Sequence, residues 1–229
     1  MTLAYTVVIP AHNAAPTIGA TIASVLAQTV LPEAIIVVND GSTDATSKLA
    51  AGASDKATVI DQANLGPGAA TTAGFARVAT PLVATLDADD LWLPQKIERQ
   101  LRSLASDAEL SGVFSLARQF IDGETPDPNG NGAVRRLWTR TTMLYRSEAA
   151  RLVGSFLDFP GRLGEVVDWL SRARTLGQRH LMIEEILAMR RVRANSLSQE
   201  SLRDGGSRGY LAAANAALLR RKQRPTGAG

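Results

Sequence analysis

The chain has 229 residues, enough for one sizeable domain with its own core and little room for a second. Hydrophobic residues make up 45% and charged residues 21%, a soluble globular balance; the absence of cysteine excludes disulfides, thiolate metal sites and a cysteine nucleophile. The formal charge of +3 is dispersed and short of aromatics, so it reads as a solvated basic surface, with no nucleic-acid partner expected.

Residues 1–10 form an apolar, strand-like run without a basic flank, and no stretch of 18 apolar residues follows. The expectation is a cytoplasmic chain with no signal peptide or membrane span. Residues 5–9 predict a strand. Residues 16–28 predict a helix, with Ile18, Ile22, Val25 and Leu26 on one stripe. A second strand at 34–38 ends in the turn residues Asn39-Asp40-Gly41-Ser42, and 43–51 reads as a helix. A short third strand at 58–60, a loop at 64–68 and a helix at 69–78 follow. A fourth strand at 82–86 runs into Asp87-Ala88-Asp89-Asp90. Pro94 then opens a helix to about 104, where proline is tolerated. Alternating strands and helices predict an α/β fold with a mostly parallel sheet and helices on both faces. Ligands of such sheets bind at the carboxyl ends of the strands. The polar clusters at 10–13, 39–42 and 87–90 all fall there.

The second half is less regular. A strand is expected at 112–121, a mobile loop rich in Gly, Pro, Asp and Asn at 122–132, and extended chain at 136–145. A helix is expected at 163–174 and a strand at 186–193. From 196 the chain turns polar, with a hinge at 204–206, an Ala/Leu-rich helix with a basic end at 210–222, and frayed residues at 225–229.

Asp87 and Asp89 leave a strand with one residue between them. Their oxygens suit Mg²⁺ or Mn²⁺ shared with the phosphates of a ligand. The plainer alternative is an acidic helix entry in which Asp90 satisfies nearby backbone donors. Asp40 can accept an N–H from a nucleobase edge, while Ser42, Thr43 and Asp44 can serve the following helix as caps. Glu165, Asp168 and Arg172 share one helical face. A carboxylate there can act as general base on a hydroxyl, or the three can form an exposed ion-pair face. Arg190, Arg191 and Arg193 form a basic patch that can hold a diphosphate or simply be solvated. His12, in the first loop, reads as a lining residue, and with only two histidines, well apart at His12 and His180, a histidine-rich zinc site is not expected.

In order, these pieces resemble glycosyltransferase family 2, whose fold is called GT-A. The resemblance is carried by Val7-Val8-Ile9-Pro10-Ala11-His12-Asn13, by Ser24 to Thr29, by Ile35 to Asp44, by Asn64-Leu65-Gly66-Pro67-Gly68, and by Leu86 to Asp90 with Trp92-Leu93-Pro94. It covers residues 5 to 195 and implies a metal-dependent, inverting transferase that uses a nucleoside-diphosphate sugar, UDP-sugar favoured. It divides the chain into a nucleotide-sugar half (1–110), an acceptor half (111–195) and a helical tail (196–229). Asp40 would contact the base and Ala11 line its pocket. Pro10, Asn13, Gly66, Asp87, Ala88 and Arg193 would complete the donor site. Asp89 would bind Mn²⁺ or Mg²⁺, and Glu165, or Asp168 one turn on, would be the base.

Departures from the family pattern fall at Asn39, Thr71-Thr72, Val166 and Arg193. The first replaces an Asp, the Thr pair stands where Arg-Asn is common, Val166 stands where an Asp is common, and Arg193 where a His is common. Two other readings compete: a non-catalytic sugar-nucleotide-binding partner, and a nucleotidyltransferase, whose Gly-rich phosphate loop the segment at 11–15 lacks. The acceptor stays open between a sugar, a small molecule, a lipid-linked glycan and a peptide. The 210–222 helix is expected to pack within the chain or in a homodimer, with peripheral membrane contact as the alternative.

Overall fold

A computed structural model describes residues 4–193 and 208–222. Four strands, β1 (Tyr5–Ala11), β2 (Ala34–Asp40), β3 (Ala57–Gln62) and β4 (Leu82–Thr85), pair in parallel in the order β3-β2-β1-β4. Helices α1 (Ile18–Leu26), α2 (Thr46–Ala51) and α3 (Pro67–Phe75) make the crossovers. A two-residue strand β5 (Leu91–Trp92) and helix α4 (Lys96–Ser106) follow.

The second half continues the same sheet. Strand β6 (Leu110–Ile121) turns back at β7 (Val134–Arg135), and β8 (Leu144–Arg146) pairs antiparallel with both β4 and β6. Helices α5 (Ser147–Val153) and α6 (Glu165–Thr175) then lead to the long strand β9 (Arg179–Val192). It runs parallel to β6, with β5 on its other edge. The sheet is mixed, with most of its paired residues in parallel ladders.

Strand alternation explains the two layers of core. Val7, Ile9, Ile35 and Val37 point to one face, against Ile18, Ile22 and Val25 of α1 and Ile97 and Leu104 of α4. Val8, Ile36 and Val38 point to the other, against Ala70 of α3, Ala150 and Val153 of α5, and Val166, Trp169 and Leu170 of α6. Gly74 is required there, because a Cβ would lie 2.3 Å from a Val8 methyl. On this second face, Trp169 stacks on Phe156 at 4.8 Å and donates to the Gly154 carbonyl.

Several sequence expectations change in the second half. The last strand begins at Arg179, not 186, and helix α5 lies in a stretch for which no element is expected. Residues 136–145, expected to be extended, contain a 3-10 turn at Arg140–Thr142. The 122–132 loop, expected to be mobile, is pinned by Arg118, whose guanidinium donates to the carbonyls of Pro128, Gly130 and Gly132 at 2.9, 2.5 and 2.8 Å. The last helix, α7 (Arg208–Lys222), packs within the chain across the start of α6. The Gly209 carbonyl comes so close to Gly164 that a Cβ there would sit 2.8 Å from it. The hinge at 204–206 and the 225–229 end lie outside the described residues. Among the described residues, no helix is long and apolar enough to cross a membrane.

Candidate functional site

The carboxyl ends of β1, β2 and β4 open onto a cleft of about 530 Å³. Pro10, Ala11, His12 and Asn13 line it from β1, Asp40 from β2, and Asp87 to Asp90 from the loop after β4. Arg140, Arg162, Arg190, Arg191 and Arg193 also line it. Five guanidinium groups and four carboxylates thus line one cleft, so cationic donors for an anion are gathered there.

The loops are braced locally. Asn13 adopts a left-handed φ of 48°. Its N–H reaches Ser42 Oγ at 2.9 Å and its Oδ1 accepts from the Thr43 N–H at 2.9 Å, tying the first two loops together. Asp44 serves α2, accepting the Thr46 N–H at 3.0 Å. His12 lines the cleft and bonds the Asp40 carbonyl at 2.8 Å.

Asp40 is 4% exposed and is itself a loop organiser. Its Oδ1 accepts from Gln62 Nε2 at 2.8 Å and from the Leu65 N–H at 2.9 Å; its Oδ2 accepts from the Gly66 N–H at 2.9 Å. An ionised carboxylate offers about four acceptor positions, so one remains, on Oδ2. Gly66 has φ 106°, and a Cβ there would strike Asp158 at 2.8 Å. Asp158 caps α3 through the N–H groups of Gly68 and Ala69.

The acidic loop is gripped from α1. Thr17 and Thr21 both donate to the Ala88 carbonyl, at 2.8 and 3.0 Å. Its three carboxylates have different surroundings. Asp90 is buried, accepting from Thr141 Oγ1 and, at 2.8 Å, from the Arg191 N–H. Burial and then its acidic neighbours push its carboxyl well above the usual range. It thus satisfies a backbone donor, as the plainer sequence reading has it, but on β9 instead of the next helix. Asp87 meets Arg140 Nε at 2.7 Å and Thr141 Oγ1 at 3.3 Å. Asp89 meets Arg193 through Oδ2 at 2.5 Å. Desolvation, followed by Asp87, raises its carboxyl while Arg193 opposes the shift. Its Oδ1 takes no donor from another described residue.

Arg140 was not anticipated. Its guanidinium bridges Asp87 and Glu165. Burial works against its charge, but the two carboxylates outweigh that and raise its pKa further. Glu165 is 4% exposed and stands behind Arg140, not on the cleft wall itself; its Oε2 has no donor among the described residues. Asp168, the second expected base, is brought to no part of the cleft. It is fully buried between Arg172, at 2.9 Å, and Arg220 of α7. The expected exposed ion-pair face is therefore an internal clasp.

The departures also land on structure. Val166 joins the core, Thr72 Oγ1 accepts the Phe156 N–H at 2.9 Å, and Asn39 bonds Asp61 at 2.7 Å.

The family model for glycosyl transferase family 2 matches residues 6–155. The chain belongs to glycosyltransferase family 2. This family 2 chain is 32% identical over 221 residues to the succinoglycan biosynthesis protein ExoU of Rhizobium meliloti, covering 84% of this chain and 63% of that protein. An uncharacterised glycosyltransferase of Nostoc is 45% identical over 97 residues, 41% of this chain and 30% of that one. The chain thus spans less than two thirds of the length of these relatives. Among solved structures, Staphylococcus aureus TarS with UDP superposes with a TM-score of 0.69 at 15% identity, over 95% of this chain and 66% of that one. The mannosyltransferase PcManGT of Pyrobaculum calidifontis, with GDP-Man and Mn²⁺, gives 0.69 at 16% identity, over 99% and 77%. At that identity the likeness establishes the GT-A fold.

Proposed function

We propose that the chain transfers a sugar from a nucleoside-diphosphate sugar to an acceptor hydroxyl, with inversion, in the cytoplasm. The observation that carries this is the cleft itself, where Asp40, the Asp87–Asp89 loop and Arg190, Arg193 and Arg140 meet at the strand ends. The nucleotide-bound neighbours supply the donor class. Asp40 has one acceptor position left, which suits a base presenting a single N–H at that point and favours uracil over the paired donors of guanine. In this reading Arg190 and Arg193, which line the cleft, hold the diphosphate, whose charge grows as the glycosidic C–O bond breaks.

A divalent cation fits this site through one carboxylate. Among the described residues no other side chain donates to Asp89 Oδ1 and no cluster of three ligating side chains exists, so phosphate and water oxygens would complete the shell. Bound there, Mn²⁺ or Mg²⁺ would offset leaving-group charge. The acceptor oxygen attacks the anomeric carbon opposite the diphosphate, which departs with the bonding electrons. In this reading Glu165 takes the acceptor proton on Oε2, while Arg140 holds Oε1.

Calorimetric titration of UDP, GDP and dTDP, with and without Mn²⁺ and alongside Asp89→Ala, tests the proposal. One nucleotide is expected to bind at micromolar level, about tenfold or more tighter with Mn²⁺ and with Asp89 intact. Absence of binding by all three would contradict it.

A further inference from the structure

Beneath the cleft lies a polar layer that touches no part of it. Trp92 is 3% exposed, and Lys96 and Gln100 are fully buried. Such groups are costly in a core unless each has a partner. Here the side-chain bonds converge on one place, the turn that begins with Arg140, with one further bond to β6. Trp92 Nε1 donates to the Thr141 carbonyl at 2.8 Å. Gln100 Nε2 donates to the Thr142 carbonyl at 2.7 Å and to Val113 of β6 at 3.0 Å. The Arg140 carbonyl itself accepts from Thr85 Oγ1 at 2.7 Å. The carbonyls of all three turn residues are therefore held from below.

Lys96 explains how the Gln100 amide keeps its orientation. Its Nζ lies 2.8 Å from Gln100 Oε1 and 4.1 Å from the centroid of the Trp92 ring. With that donor present, Oε1 must face Lys96 and the NH₂ must face the two carbonyls. The flipped amide would set oxygen against both of them. Burial drives the lysine amine well below its usual pKa, and a neutral amine still donates a hydrogen bond.

We propose that Trp92, Gln100 and Lys96 are positioning residues that fix the Arg140 turn, and through it hold the Arg140 guanidinium between Asp87 and Glu165. The inference rests on the reading of Glu165 as the base. One arginine serving two carboxylates from different elements needs placement finer than an ångström, and a turn held at all three carbonyls supplies it.

The test is Gln100→Met, made alone and in an Arg140→Lys background, with thermal unfolding confirming that each variant is folded. Release of nucleotide from UDP- and GDP-sugars gives kcat and KM, and crystal structures give the place of Arg140. In the single variant kcat is expected to fall about 10- to 100-fold, with KM within about twofold. In the Arg140→Lys background the same change is expected to alter kcat less than about threefold, because its route of action is already broken. The crystal structure of Gln100→Met is expected to show Arg140 out of hydrogen-bond reach of Asp87 or Glu165. If Arg140 keeps both ion pairs, or if the two effects on kcat multiply in full, the proposal is overturned. Failure of the unsubstituted protein to release nucleotide from any donor counts against the transferase reading, and the place of Arg140 then decides the positioning claim. If Gln100→Met does not fold, Gln100→Glu, which keeps an acceptor for Lys96 and removes both donors, carries the same readouts.

Discussion

In the half of the sheet from β1 to β4, each site residue ends its own strand or follows it closely: Ala11 at the end of β1 and Asn13 just past it, Asp40 at the end of β2, and Asp87 and Asp89 just past β4. In the half from β6 to β9, the site residues sit on a 3-10 turn, at a helix start and just past a strand end, and ion pairs tie them to the acidic loop. Arg140 joins Asp87 to Glu165, Arg193 joins Asp89, and Arg220 joins Asp168. The first half sets its groups by backbone topology and the second by buried ion pairs. Topology is robust to a single side-chain change, whereas a buried pair that loses one partner leaves a charge without compensation.

The largest effect is expected at the joint between the halves. Arg140→Ala leaves the buried Glu165 and the half-buried Asp87 without their cation. A stability loss of about 3–5 kcal/mol in urea unfolding is expected, together with turnover lower by about 10²–10³-fold. A variant as stable as the parent would show the bridge to be no more than a surface contact. Next is Asp168→Asn, which weakens the clasp between α6 and α7. It should lose about 2–4 kcal/mol while nucleotide affinity stays within about twofold. A tenfold loss of affinity would bring Asp168 back into the donor site and blur the contrast between the halves.

The smallest effect concerns pH. His180 is held down to about 4, by burial and then by Arg174, and its Nε2 lies 2.7 Å from the Tyr145 hydroxyl. The unfolded chain takes up this proton near 6.5, before the folded one does. Stability from this site is therefore full above about 6.5 and falls as pH drops toward 4, by at most about 1.4 kcal/mol per unit. Melting temperatures from pH 7 to 5 for the parent and for His180→Gln measure it, the variant showing the shallower slope. Parallel curves would contradict the shift.

The same contrast explains what the sequence could disclose. Regular alternation of apolar strands, helices and polar turns made β1, β2, β4 and their loops legible, because the pattern and the site share one cause. Arg140 was not legible, since an isolated arginine in an irregular stretch carries no local sign of two carboxylates folded against it. Asp168 read as part of an exposed face because its burial comes from α7, far along the chain. The early part of β9 was missed because exposed Arg179, Leu181, Glu184 and Glu185 hide an otherwise paired strand. Arg118 made a loop of apparently mobile composition into a braced one. A pair of signals was present and overlooked: Thr17 and Thr21, one helical turn apart, and Lys96 and Gln100, likewise, each place two polar side chains on a helix face turned inward.

The proposed transfer turns on Glu165 as the base, while donor binding rests on Asp40, Asp89 and the cleft arginines of both halves. Glu165→Gln keeps the size of the side chain and removes the carboxylate. Nucleotide affinity and sugar transfer, or donor hydrolysis where no acceptor is supplied, should be measured on the same preparation of folded variant. The account predicts affinity within about twofold of the parent and turnover lower by about 10³-fold or more. Turnover within about tenfold of the parent would contradict it and leave the acceptor proton to another group.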